Sequence, residues 1–154
     1  MSLHGSYTDN LELAKEFEDF ASDILWREWH WPIRVYSSAK WQIGKGENLS
    51  GVEIKLDQRF RETGNLFIEY SERSDVCYSF KDSGINGKGH MCLIGDEEGF
   101  WLFGFSTLKN MDKRYHFPHV EISTAKGFLV PLAIANEWAI RTYGDCCEDG
   151  IPFE

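Results

Sequence analysis

The chain has 154 residues, 42% of them hydrophobic and 15% aromatic, which is the size of one compact domain able to bury a core without staples. A charged fraction of 27% with six Trp and eleven Phe excludes a disordered chain. No stretch approaches the roughly 20 apolar residues that span a bilayer, and Phe128–Ile140 is broken by Pro131, Asn136 and Glu137. The start carries no basic segment followed by an apolar one, so a cytoplasmic protein without a membrane partner is expected. The formal charge of −9 sits at two places. Asp9–Glu28 holds seven acids against Lys15 and Arg27, and the tail Asp145–Glu154 holds four acids and no base. The body between them is neutral, which argues against tight non-specific DNA binding through a basic surface but leaves room for a local basic rim. Four cysteines without a C-x-x-C pair read as reduced thiols rather than a zinc site.

In chain order, Leu13, Phe17, Phe20, Ala21, Ile24 and Leu25 recur at three- and four-residue steps between acids. This predicts an amphipathic helix capped by Thr8 or Asp9 and ending before Pro32. Arg34–Tyr36 and Trp41–Ile43 read as strand pieces, and Gly44–Asn48 as a turn. The cleanest alternation follows: Val52, Ile54 and Leu56 point to one face, while Glu53, Lys55 and Asp57 point to the other. A turn at Glu62–Asn65 leads to a strand over Leu66–Ser71, with Leu66, Ile68 and Tyr70 opposite Phe67, Glu69 and Ser71. Paired as a hairpin, the two strands bring Glu69 beside the Glu53/Lys55/Asp57 row. Val76–Phe80, His90–Ile94, Phe100–Phe105 and Gly127–Val130 are strand-like, and Ser106–Arg114 is a short helix. His116–His119 reads as a loop, and Leu132–Tyr143 as a closing helix that stops at Gly144. The expected architecture is α+β or α/β, a mixed sheet flanked by helices in one domain over 1–154, with 1–8 and 145–154 as flexible ends.

Glu53, Lys55, Asp57 and Glu69 are the place where ionisable groups converge by geometry rather than by number. A solvated strand face is the plain alternative. A strand with helices before and after it is covered on both faces, however, and charges left on a covered face must be paired or metal-bound. Carboxylates with one lysine suit phosphodiester hydrolysis. The acids hold Mg²⁺ or Mn²⁺ through oxygen, the ion activates a water, and a lysine with a pKa lowered by desolvation orients or deprotonates it.

Glu53-Ile54-Lys55 resembles the E-x-K element of the PD-(D/E)xK nuclease superfamily, whose fold is restriction-endonuclease-like. Lys55-Leu56-Asp57, Thr63 to Glu69, Ser83-Gly84-Ile85 and Gly127 to Pro131 follow in an order similar to that of phage-type and uncharacterised members. The resemblance covers roughly Glu16 to Pro131 and implies a Mg²⁺-dependent endonuclease acting on DNA, with homodimers common among such enzymes. It makes Glu53 a metal-binding acid and Lys55 the lysine that handles the water. Glu47 is the nearest match to the family's first acid. In a second register Glu53 or Asp57 is that acid and Glu69 the next; Ser71 then stands at the lysine's place, and Lys55 serves from a neighbouring strand. Glu16 or Glu18 supplies the helical acid found in some relatives. Gly89-His90-Met91 departs from the family's Asp-aromatic pair. The rival reading is an acidic binding protein, an immunity protein or DNA mimic steered to a basic target by its charge. A nuclease fold without catalysis is the third.

Overall fold

The computed structural model describes residues 7–30, 51–73 and 79–144. Residues 34–36, 41–43 and 44–48, including Glu47, lie outside the described residues, as do 74–78 and 145–154.

Helix α1 (Tyr7–Arg27) takes in both Thr8 and Asp9, the residues expected to cap it. Its apolar stripe buries Phe17, Ala21, Ile24 and Leu25, whereas Leu13 stays 42% exposed. Among the described residues the strands and helices that follow include β1 (Val52–Leu56), α2 (Phe60–Thr63), β2 (Asn65–Glu72), β3 (Lys81–Asp82), β4 (Met91–Asp96) and β5 (Gly99–Gly104). The chain continues through α3 (Phe105–Tyr115), β6 (His119–Ile122), β7 (Ala125–Pro131), α4 (Leu132–Trp138) and β8 (Arg141–Gly144).

Among the described residues the strands form two four-stranded sheets in an α+β arrangement. The first has the order β1-β4-β5-β8, with β1 parallel to β4 and the other pairs antiparallel. The second, β3-β2-β7-β6, is antiparallel throughout. Alternation along the first sheet builds two cores. Val52, Leu93, Phe100 and Leu102 pack against Phe17, Ala21, Ile24 and Leu25 of α1. Cys92, Ile94, Trp101 and Phe103 pack against Leu66, Ile68, Phe128 and Val130 of the second sheet, with Leu108 and Met111 of α3 and Leu132 and Ala135 of α4. The first sheet is therefore covered on both faces, by α1 and by the second sheet.

The expected hairpin of β1 and β2 does not form. The strands belong to different sheets because the connection is a helical turn, α2, whose Phe60 is buried between them against Trp101. The closing helix also stops earlier than expected, at Trp138. Ile140 N–H then donates to Leu102 O, and Arg141–Gly144 continues as an edge strand on β5. The region around His119, expected to be a loop, contains β6. Among the described residues no helix is long and apolar enough to cross a membrane.

Candidate functional site

Glu53 and Lys55 stand opposite Cys92 and Ile94 in the parallel register of β1 and β4, so all four side chains share the face turned toward the second sheet. There Lys55 Nζ lies 3.2 Å from Glu53 Oε1 and 3.7 Å from Glu69 Oε2. The two glutamates are 20% and 17% exposed and the lysine 39%, so the group is a sheltered cluster rather than a solvated strand face.

Glu69 is fixed from the other side. Ser83 Oγ, itself buried, donates to Glu69 Oε2 at 2.8 Å. Gly84 follows at φ +51°, and a Cβ there would stand 2.0 Å from the Glu69 carbonyl oxygen. Only glycine lets this turn close so tightly on β2. Ile85 then enters the core between the sheets. Each residue of the Ser83-Gly84-Ile85 segment thus helps to seat Glu69. In the sequence this segment stands out only through the resemblance, and no pairing rule names Glu69 as the partner of Ser83.

Burial alone would lower the Lys55 pKa, as expected from desolvation. The neighbouring carboxylates of Glu69 and Glu53 outweigh that effect and raise it above the usual lysine value. The expected downward shift is therefore reversed: flanked by two carboxylates, Lys55 is an ammonium that donates hydrogen bonds and cannot take a proton. Burial, reinforced by Glu53, pushes the Cys92 thiol well above its ordinary pKa, which makes it a protonated core residue.

Asp57 lines the same cleft, but its oxygens are taken up by backbone N–H groups. Its Oδ1 accepts the Arg59 and Phe60 N–H groups at 2.9 and 3.1 Å, and its Oδ2 accepts the Phe67 N–H at 3.0 Å. It starts α2 and joins the end of β1 to the edge of β2. Glu16 is exposed on α1 and Glu18 half-buried there. That helix packs on the opposite face of the first sheet from Glu53 and Lys55, so neither acid reaches the cluster. Ser71, at the lysine's place in the second register, donates its hydroxyl to the Lys81 carbonyl, while Lys55 reaches Glu69 from the other sheet.

Among the described residues no group of three or more His, Cys, Asp or Glu side chains is placed to hold a metal ion. Glu53 and Glu69 still fit a Mg²⁺ ion by donor chemistry, since that ion commonly takes one or two carboxylates and completes its shell with water and substrate phosphate. Both open onto a cleft of about 510 Å³ whose walls include Phe67, Arg59, Ile122 and Leu129. Comparison with protein-family models, curated proteins and solved structures returns no match.

Proposed function

We propose that the chain is a Mg²⁺- or Mn²⁺-dependent nuclease that hydrolyses DNA phosphodiester bonds. The observation that carries this reading is the meeting of Glu53, Lys55 and Glu69, delivered from two different sheets, at the wall of one cleft. Two carboxylates beside one ammonium form a donor set suited to a divalent ion and a phosphate together. A metal held by Glu53 and Glu69 would supply an activated water and neutralise charge growing on the phosphate. Lys55, held protonated, would orient the water or a phosphate oxygen by donating to it. Ser83 would keep Glu69 in its productive rotamer. Asp57 would hold the spacing of Glu53 and Glu69 by joining β1 to β2 through backbone N–H groups. In this reading the first sheet, with its parallel β1–β4 pair, is the catalytic sheet of a restriction-endonuclease-like fold, and a homodimer would present two such sites to the two strands.

The test is incubation of plasmid and linear DNA with Mg²⁺ or Mn²⁺, using the native chain, Glu53→Ala and Lys55→Ala. Metal-dependent cutting abolished by both substitutions is the expected result. Absence of cutting together with absence of metal binding by calorimetry would overturn the reading. The exposed acids Glu12, Glu16, Asp19 and Asp23 of α1 favour a second reading, an acidic protein-binding inhibitor, and that outcome would select it.

A further inference from the structure

The cleft beside the carboxylates has a second wall that the hydrolytic chemistry does not use. In the antiparallel register of β2 and β7, Phe67 stands opposite Leu129 and Glu69 opposite Gly127, so all four positions share one face of the second sheet. On β6, Val120 and Ile122 pair with Gly127 and Ala125 and continue that face. Gly127 leaves space that the Phe67 ring fills: a Cβ at Gly127 would stand 2.6 Å from Phe67 Cζ and 2.8 Å from Cε1. The ring therefore leans across the bare glycine, half-buried, two residues along the strand from Glu69. Ile122 is 53% exposed at the same wall, and Arg59 is exposed on the rim.

We propose that this wall receives an unpaired base, stacked on Phe67, so that the substrate is single-stranded DNA or the single-stranded part of a branched or frayed end. The inference rests on the nuclease reading of the carboxylate cluster and deepens it by naming the substrate class. A base needs a flat apolar surface, and its phosphates need cations within a nucleotide's reach; Phe67 with Ile122 supplies the first, Lys55 and Arg59 the second. A cleft of about 510 Å³ lies within the range of pockets that enclose a small ligand. Bases locked in a paired stack cannot enter it without being extruded, whereas a single strand offers them directly.

The experiment is fluorescence anisotropy with labelled oligothymidylate and a fully paired duplex of equal length. Ca²⁺ replaces Mg²⁺ so that binding is read without cutting. The proteins are the native chain, Phe67→Ala, Phe67→Tyr and Ile122→Glu, each checked for its fold by circular dichroism. Oligothymidylate should bind more tightly than duplex, and Phe67→Ala should weaken it about tenfold. Phe67→Tyr should retain the binding, and Ile122→Glu, at an exposed position, should weaken it by placing a carboxylate beside the strand. Equal or tighter binding of duplex, indifference to Phe67→Ala, or binding of neither form would overturn the inference. Cutting is scored separately with Glu53→Ala. Loss of the strand preference while metal-dependent cutting persists removes this inference alone, and a strand preference without any cutting removes the nuclease reading alone.

Discussion

Asp57 shows how a residue in the expected row takes another role. Alternation along β1 grouped it with Glu53 and Lys55, yet its two oxygens accept three backbone N–H groups and it is 9% exposed. Removing this carboxylate orphans donors at the start of α2 and on the edge of β2. Asp57→Ala should therefore lower unfolding stability by about 3 kcal/mol in chemical denaturation. Ser83 is the converse case, a small buried polar residue whose hydroxyl donates to Glu69. If Glu69 is a metal ligand, Ser83→Ala should reduce metal-dependent cutting about tenfold with the melting curve little changed. Gly84→Ala should act on stability instead. It combines a positive φ with a Cβ driven against the Glu69 carbonyl, and thermal melts should show a loss of about 2 kcal/mol or more.

At the scale of elements, the second sheet and α3 are joined through His119. With the proton on Nε2, the imidazole donates to the Asp112 carboxylate at 2.9 Å, and its Nδ1 accepts from the Tyr70 hydroxyl at 3.1 Å. One ring thereby links α3, β6 and β2, and it also packs on Phe128. His119→Ala should cost about 1–2 kcal/mol, and a double-mutant cycle with Tyr70→Phe should show coupling because the two side chains touch. Tyr70 lies at the irregularity between Glu69 and Ser71 where the β2–β7 register shifts. An extra residue there turns Ser71 to the face of Lys126, away from that of Glu69. Strict alternation from Phe67 through Glu69 to Ser71, as expected from the sequence, ends at this irregularity.

For the whole molecule, stability should depend on pH through Glu18 on α1. Partial burial, with Asp19 adding to it and Lys15 opposing, raises the Glu18 carboxyl from 4.5 to about 7. Below pH 4.5 the group is protonated in both folded and unfolded chains and contributes nothing. Between 4.5 and about 7 the folded chain holds the proton more tightly, so stability falls as pH rises; above that range the full penalty remains. Glu18→Gln should raise the melting temperature at pH values above 7 and leave it nearly unchanged below 4.5. Melts across that interval measure the effect, which solvent screening keeps small because Glu18 is only half-buried.

Much of the secondary structure was legible because it is local. The three- and four-residue rhythm of Phe17, Ala21, Ile24 and Leu25 marked α1, alternation marked β1, and short apolar runs between Gly-rich or acidic turns marked β4 and β5. The sequence alone also singled out Glu53, Lys55 and Glu69 as residues that could meet, and they do. Their meeting comes about differently from the expected hairpin, because Phe60 draws the connecting turn into the core and sends β2 to the second sheet. The edge strand β8, the partner of Ser83, the backbone role of Asp57 and the upward shift of Lys55 were not legible. Each depends on which distant backbone or carboxylate comes alongside. Periodicity along a chain specifies the face of a residue, but not its neighbour across a sheet, which is selected by the packing of all the faces together.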